Sequence, residues 1–229
     1  MNKSSNRYND NFDKVDKNTE YDLKDAISLI KNFKACKFDE SVDIAINLGV
    51  DPKHADQVIR GTVSLPHGTG KDVKVLVIAK GDGVDAAKDA GADYYGAEEY
   101  LEKIKGGWTD IDVIVSAPDM MAEVGKLGRV LGPRGLMPNP KSGTVTNDIA
   151  KAVSELKAGK IEFRVEKQGI VHVGIGKMSF DESQIVENFN TFLDAIVKLK
   201  PNSLKGKYIK KVSLSSTMGP GFRISNDYN

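Results

Sequence analysis

The middle of the chain alternates short apolar runs with helical patterns, and this alternation constrains the fold more than any other feature. Residues 73–79 and 112–116 have the β-branched, apolar character of buried strands. Helical patterns cover three further segments, and Pro118 opens another helix that runs toward Lys126; the three segments are 84–90, 97–105 and 147–157, the last with Asn147 as its predicted cap. Strands and helices that alternate at this spacing favour a parallel or mixed sheet.

The two ends of the chain carry a different pattern. Residues 41–49 and 210–217 alternate apolar and polar side chains with the period of a half-buried strand. Residues 161–165 and 170–175 do the same on either side of a Lys-Gln-Gly turn, which predicts a β-hairpin. Apolar residues at helical spacing between 185 and 196 predict a helix that ends before Pro201.

These patterns together predict an α/β protein of two domains. Strands and a helix occur at both ends of the chain, and a complete strand–helix unit lies between them, so the outer domain is expected to be discontinuous. We predict an α+β outer domain of residues 1–67 and 160–229, with an inserted α/β domain of residues 68–159.

Composition excludes several classes of protein. The chain has 229 residues and no run of about eighteen apolar residues, so we expect no membrane span. Its first nineteen residues are polar and lack the apolar stretch of a secretory signal, which predicts a cytoplasmic protein. Cys36 is the only cysteine, which excludes a disulfide or a thiolate metal cluster within the chain.

The net charge of +1 is an average over segments of opposite sign. Residues 82–123 hold eleven acidic and three basic side chains, whereas residues 198–226 hold seven basic side chains and no acidic one. Segregated charge suggests faces with different partners, and basic faces suit nucleic acid. A solvated lysine-rich surface is the alternative for the basic segment, and a protein–protein adaptor surface is an alternative for the acidic one.

Residues 126–143 form a compositionally unusual segment with four glycines, three prolines, four cations and no acidic residue. Glycine opens backbone angles that other residues avoid, and proline fixes them. The segment therefore predicts a loop of defined irregular shape with its cations at the surface, where they are candidates for contact with an anion: Lys126, Arg129, Arg134 and Lys141.

Enzymatic alternatives have weak support. The turn Gly81-Asp82-Gly83 follows a predicted strand and precedes a helix, with the spacing of a dinucleotide-binding turn. The aspartates in and after it would repel phosphates, and the next strand begins too early for the usual ribose-binding acid. The three histidines are far apart and show no metal-binding spacing. Lysines 34 and 37 could lower the pKa of the Cys36 thiol and make it reactive, but no partner resembling a nucleophile relay is evident, so a half-buried structural cysteine is predicted and a reactive thiol is the alternative.

Two more clusters suit RNA. Phe38 stands beside Lys37 just before a predicted strand, where an exposed ring would stack on a base and a buried ring would belong to the core. At the other end of the chain, Ser213, Ser215 and Thr217 share one strand face and precede a glycine-rich turn. Small hydroxyls and bare backbone amides can contact phosphates and ribose hydroxyls.

Together these clusters resemble the L-one family of large-subunit ribosomal proteins, in its bacterial form. The resemblance runs from about residue 8 to residue 224, and its most specific part is Leu-Gly-Pro-Arg-Gly-Leu-Met-Pro-Asn-Pro-Lys at 131–141. That part belongs to a longer matching segment at 127–146, and the other segments that carry the resemblance are 35–40, 49–52, 60–68, 91–93, 161–164, 176–177 and 217–220.

The resemblance implies a non-enzymatic RNA-binding protein without a cofactor, whose inserted domain is Rossmann-like but binds no dinucleotide. Such proteins bind large-subunit ribosomal RNA within the 50S ribosomal subunit, form a mobile stalk at the exit site and help deacylated tRNA to leave. Bacterial members also bind the mRNA leader of their own operon and repress its translation.

Carried over by position, the resemblance implies one main RNA-binding surface. Its expected residues are Lys37, Phe38, Ser41, Lys167, His172, Ser213, Ser215, Thr217, Met218 and Gly219. The four cations of residues 126–143 are expected as a secondary RNA-binding group.

Overall fold

The computed structural model of the chain describes residues 5–16, 19–34, 36–201, 204 and 206–225. Ala35 and Lys205, which belong to the RNA cluster around Phe38 and to the basic C-terminal segment, lie outside the described residues, as do the two chain ends at 1–4 and 226–229. The chain divides into two compact units, one of residues 1–70 with 161–229 and the other of residues 71–160. That each unit folds independently as a domain stays a prediction.

Helices and strands occur throughout both units, which confirms the predicted α/β fold class. The helices are α1 Asn6–Phe12, α2 Leu23–Lys31, α3 Asp82–Asp89, α4 Glu98–Lys105, α5 Met121–Gly125, α6 Gly128–Leu131, α7 Ile149–Lys157 and α8 Glu182–Lys198. The strands are β1 Ser41–Leu48, β2 Arg60–Ser64, β3 Val75–Ile78, β4 Tyr94–Gly96, β5 Val113–Ser116, β6 Lys160–Arg164, β7 Ile170–Lys177, β8 Ile209–Ser216 and β9 Gly221–Ile224. Short 3-10 turns add Ala55–Gln57, Pro118–Met120 and Pro140–Ser142.

The unit of residues 71–160 is built on a parallel sheet in the order β4-β3-β5. Side chains alternate across the central strand, so Leu76 and Ile78 enter one core with α4, α5 and α6, and Val75 and Val77 enter a second core with α3 and α7. All four residues of β3 are buried. A strand buried on both faces needs the continuous apolar run that the sequence shows.

The larger unit contains an antiparallel sheet in the order β7-β1-β8-β9. Buried and half-buried residues alternate strictly along β1. Its buried side chains Val42, Ile44, Ile46 and Leu48 share a core with the apolar faces of α2 and α8. Helices of the same unit therefore cover one face of this sheet, and the polar residues of the strands point to the other.

The pairing of strands β6 and β7 differs from the hairpin predicted for residues 161–165 and 170–175. The expected turn exists, since the Gly169 amide donates to the Glu166 carbonyl oxygen at 3.0 Å. The predicted hairpin is nevertheless wrong, because β6 pairs with β2 in a separate two-stranded sheet and β7 pairs with β1. Period-two patterns on both sides of a turn indicate two strands, but they do not determine which neighbour each strand chooses.

Two further local predictions need correction. The cap of α7 is Asp148 and not Asn147, because the Asp148 side chain accepts from the Lys151 amide at 3.3 Å. Residues 126–143 are not loop throughout, since they contain α6 and the turn Pro140–Ser142. Leu127 and Leu131 belong to a buried core, and their burial on one side of a helical turn accounts for the difference.

Candidate nucleic-acid interface

The start of β1 and the turn after β8 are joined by backbone and hydroxyl hydrogen bonds. The Thr217 amide donates to the Ser41 carbonyl oxygen at 3.0 Å, and the Ser41 amide donates to Thr217 Oγ1 at 3.0 Å. The Thr217 hydroxyl donates in turn to the Ser41 carbonyl oxygen at 3.3 Å. Thr217 therefore uses its side chain to hold these two segments together.

A buried carboxylate fixes the next residue of the turn. The Met218 amide donates to Glu40 Oε2 at 2.9 Å, and Arg7 of α1 donates from Nη2 to the Met218 carbonyl oxygen at 3.0 Å. Arg7 Nη1 also lies 3.7 Å from Glu40 Oε1. Both backbone polar groups of Met218 thus have partners, which sets the direction of its side chain.

Hydrogen bonds control the ionisation of Glu40 and Cys36. Burial alone would raise the pKa of Glu40, but hydrogen bonds from Cys36, the Met218 amide and Ser216, with the charge of Arg7, outweigh it and leave that pKa below its ordinary value. The hydrogen bond to Glu40 raises the pKa of the Cys36 thiol. The interpretation of Cys36 as an activated thiol is therefore wrong, because the carboxylate and not the lysines dominates its surroundings.

Two large apolar side chains project from these joined segments. Phe38 is 54% exposed and Met218 is 50% exposed. The structure thus decides against Phe38 as a core residue. We call the joined segments 36–41 and 216–219 the Phe38/Met218 edge. Gly219 completes it, because a Cβ at this position would overlap the Ser216 hydroxyl oxygen and approach the Phe33 ring to 3.3 Å.

Ser41 is oriented by a lysine that was not among the predicted site residues. Lys177 of β7 donates from Nζ to Ser41 Oγ at 3.0 Å and to the Asp39 carbonyl oxygen at 3.5 Å. Ser41 and Lys177 are cross-strand partners. Only the strand register brings them together, and the sequence signal for Lys177 was its place in segment 176–177 of the family resemblance.

The strand registers bring three more predicted residues onto one surface. His172 and Ser213 flank Ala45 on opposite sides, and Ser215 lies beside Asp43. We call this surface the polar sheet face; its members are Ser41, Asp43, Ala45 and Asn47 of β1, Ile170, His172, Gly174 and Lys177 of β7, Lys211, Ser213 and Ser215 of β8, and Gly221 and Arg223 of β9. All of them are half-buried or exposed.

Lys167 lies at the far end of this face. It belongs to the exposed turn before β7, which is tied to the end of β1 because the Leu48 amide donates to the Gly169 carbonyl oxygen at 2.8 Å. The eight-residue strand β1 runs from the Phe38/Met218 edge to that end, a length of roughly 23 Å. Lys37 is exposed in the segment that precedes β1. The predicted residues therefore form an elongated surface and not a compact pocket.

The basic segment 126–143 belongs to the other unit and is held firmly there. The Asn139 amide donates to Thr144 Oγ1 at 2.8 Å, and Val145 forms a parallel bridge with Ser116 at the end of β5. Its four cations are exposed, and Arg134 donates a hydrogen bond to Thr109 Oγ1. The segment is an ordered cationic surface whose ligand stays a prediction.

The glycines of the dinucleotide-like turn have structural roles. Gly81 adopts a φ of +58°, which favours glycine. A Cβ on Gly83 would come within 2.9 Å of the Ala79 Cβ and 3.0 Å of Ile149 Cδ1. Close packing of α3 against β3 and α7 thus accounts for Gly83 without a bound nucleotide.

Among the residues that the structure describes, no group of three or more His, Cys, Asp or Glu side chains is positioned to hold a metal ion. No helix in the described ranges combines the length and the apolar character that crossing a membrane requires.

Comparisons with known proteins agree on one family. The sequence model of the ribosomal protein L1p/L10e family matches residues 29–220. The chain is 54% identical to the large ribosomal subunit protein uL1 of Chlorobaculum tepidum over 99% of this chain and 98% of that protein. Its identity to the uL1 proteins of Chlorobium phaeobacteroides and Chlorobium luteolum is 56% and 58%, over 96% and 93% of each chain.

Proposed function

Since this chain belongs to the ribosomal protein L1p/L10e family, we propose that it binds large-subunit ribosomal RNA through the Phe38/Met218 edge and the polar sheet face. It is a structural protein of the large ribosomal subunit and not an enzyme, in agreement with its uL1 relatives. We expect it on the ribosome in the bacterial cytoplasm.

The observation that carries this proposal is the Phe38/Met218 edge. Exposed apolar side chains usually cost solubility, yet here two of them project from segments fixed by Glu40, Arg7 and Thr217. Because these bonds hold the backbone of the segments in place, the half-exposed ring and thioether can pack on bases or riboses with less loss of backbone entropy on binding. The rest of the polar sheet face offers hydroxyls and cations that suit ribose and phosphate.

The finer parts of the proposal concern partners. We propose that the RNA-bound protein forms the mobile stalk beside the tRNA exit site and assists release of deacylated tRNA. We also propose that it binds the mRNA leader of its own operon and represses translation. The family membership supports these roles, and the four cations of residues 126–143 are candidates for a second RNA contact.

Substitution at the edge tests the main proposal. The variants Phe38→Ala and Met218→Ala should each weaken binding of an in vitro transcript of Chlorobaculum tepidum large-subunit ribosomal RNA by about 1–3 kcal/mol, because each loses a stacking or packing contact. Val197→Ala is the matched control, since Val197 is also exposed and apolar but lies on α8. Equal affinity of all three variants and the unmodified protein would remove the edge from the interface.

Competition experiments address the finer parts. Binding should weaken as salt rises, because lysines that neutralise phosphates release counterions. A transcript of the operon leader should displace the ribosomal RNA, and Met218→Ala should weaken both interactions. Leader RNA that binds Met218→Ala as well as it binds the unmodified protein would contradict a shared site for the two RNAs.

A further inference from the structure

Asp43 occupies an unusual position on the polar sheet face. It lies at the middle of the sheet, between Gly174 of β7 and Ser215 of β8. Lys177 and His172 of β7 pair with Ser41 and Ala45, the residues two positions before and after Asp43. A surface that attracts phosphates therefore carries a carboxylate near its centre.

The immediate surroundings of Asp43 are small. Its neighbours on the face are Gly174, Ala45 and Ser215, and a Cβ on Gly174 would lie 3.2 Å from Asp43 Oδ1. The carboxylate thus leans over a glycine, which leaves the strand backbones open to close approach. A ribose or a base edge can reach this shallow area, whereas large side chains would block it.

The carboxylate of Asp43 has no hydrogen-bond donor among the described residues. Burial raises its pKa, while the charges of Lys177 and His172 act in the opposite direction, and no hydrogen bond contributes. A polar group that is partly withdrawn from water without a partner is destabilising until a donor reaches it. An ionised carboxylate accepts hydrogen bonds and repels phosphate oxygens.

We propose that Asp43 is a specificity-determining residue for RNA: its carboxylate accepts a hydrogen bond from an RNA donor, either a ribose 2′-hydroxyl or a base N–H group, and keeps phosphates away from the centre of the face. The inference rests on the proposed RNA-binding function. It places the phosphates at the rim, toward Lys177, Lys211 and Arg223, and the donor over the small residues around Asp43.

The test compares specific and non-specific binding by Asp43→Asn. The probes are the Chlorobaculum tepidum ribosomal RNA transcript and a double-stranded DNA of random sequence. Affinity for the transcript should fall about tenfold or more, because a charged acceptor is lost. Affinity for DNA should rise by about two- to fivefold, because one repulsive charge is removed. Asp194→Asn is the matched control, since it removes the same charge from an exposed position on α8.

Three outcomes would overturn the inference. Stronger binding to both probes means that Asp43 only repels, and unchanged binding means that it makes no contact. An equal loss of affinity for both probes means that Asp43 only supports the fold. Asp43→Ser, which is small and neutral, repeats the comparison if thermal unfolding shows that Asp43→Asn is not folded. Absence of any preference of the unmodified protein for the transcript over DNA would instead overturn the proposed function.

A further arm separates the two donors. The part of the transcript that the unmodified protein protects from nuclease is first mapped. This fragment is then synthesised with single 2′-deoxy positions and titrated with the unmodified protein and Asp43→Asn. A position at which deoxygenation weakens only the unmodified protein identifies a ribose donor. If the unmodified protein binds every 2′-deoxy RNA more tightly than Asp43→Asn does, by the same factor as for the unsubstituted RNA, the donor is a base N–H group. Either result supports the proposal.

Discussion

In the unit of residues 71–160, helices cover both faces of the parallel sheet β4-β3-β5. In the larger unit, the helices of that unit cover one face of the antiparallel sheet β7-β1-β8-β9. The first sheet consequently has no face left for a ligand, and the cations that its unit exposes at 126–143 lie outside the sheet. The second sheet keeps a row of hydroxyls, cations and one carboxylate on its polar sheet face. Binding capacity therefore follows from how each sheet is covered, more than from the overall charge of its unit.

The largest expected effect comes from the core of the covered sheet. Leu76→Ala should destabilise the unit of residues 71–160 by about 2–5 kcal/mol, because it removes a fully buried side chain from β3. Denaturant unfolding followed by Trp108 fluorescence reports this unit alone, since Trp108 is the only tryptophan and packs on Tyr94 and Tyr100 there.

The matched change on the open sheet is Ser213→Ala. It should alter stability by less than about 0.5 kcal/mol, because the half-buried hydroxyl lies on the polar sheet face. RNA affinity should fall for Ser213→Ala and stay unchanged for Leu76→Ala under conditions where both are folded. Loss of RNA binding by Leu76→Ala alone would contradict the functional separation of the two sheets.

A smaller effect is expected from the buried carboxylate behind the edge. Glu40→Gln should cost about 1–3 kcal/mol of folding free energy, because it weakens the acceptor for Met218 and leaves Arg7 without its ionic partner. Calorimetric unfolding measures the loss, and RNA titration should show weaker binding because the direction of Met218 is less fixed. Full RNA affinity in this variant would show that Glu40 does not organise the edge.

The pH dependence of stability also tests whether the ionised Glu40 carboxylate stabilises the fold. Because the folded-state pKa of Glu40 lies below its ordinary value of 4.5, the unfolded state binds the proton more readily. The stabilisation is thus complete above about pH 4.5 and is lost as pH falls through the folded-state pKa. Denaturant midpoints measured between pH 6 and 3 should fall less steeply in Glu40→Gln than in the unmodified protein; parallel curves would contradict this assignment.

Gly219→Ala is expected to have a similar or smaller effect. The added methyl group would overlap the Ser216 hydroxyl oxygen, so the turn must shift at a cost of about 1–3 kcal/mol. Gly128→Ala is the control, since a Cβ there meets nothing within 4 Å and the residue is helical. Thermal unfolding should show a loss for the first and no loss for the second.

The smallest effect is expected in the basic segment. Lys141→Ala removes an exposed cation and should change stability by less than about 0.5 kcal/mol. Its affinity for the ribosomal RNA transcript should fall less than that of Met218→Ala. If Lys141→Ala lost more affinity than Met218→Ala in the same titration, the main RNA contact would lie in the unit of residues 71–160.

The sequence predicted where strands and helices lie better than it predicted which strands pair. The apolar run around β3 and the alternation along β1 are local consequences of burial on two faces or one, so both strands were predictable. The pairing of β6 with β2 was not, because a turn at 166–169 permits either neighbour. Tertiary burial of Leu131 likewise converted part of a predicted loop into helix α6.

The candidate site shows the same limit. The sequence allowed Phe38 and Met218 to be named as RNA-binding candidates. Whether the Phe38 ring is exposed or buried depends on tertiary packing, which no local pattern encodes. Lys177 and Asp43 were not predicted as site residues, because their significance comes from cross-strand neighbours, Ser41 for the first and Gly174 with Ser215 for the second. Register is a non-local property, and it was the part of the site that could not be predicted.

The strand order of the larger unit has a consequence for synthesis on the ribosome. The central strand β1 emerges early, yet its neighbour β8 begins only at Ile209, close to the end of the chain. At bacterial elongation rates the first strand waits on the order of ten seconds for its partner. The intervening unit is contiguous and can be completed during that interval. The complete polar sheet face therefore forms only after β8 and β9 have been made, so a nascent chain that stops before Ile209 lacks the serines of β8 and the turn that carries Met218.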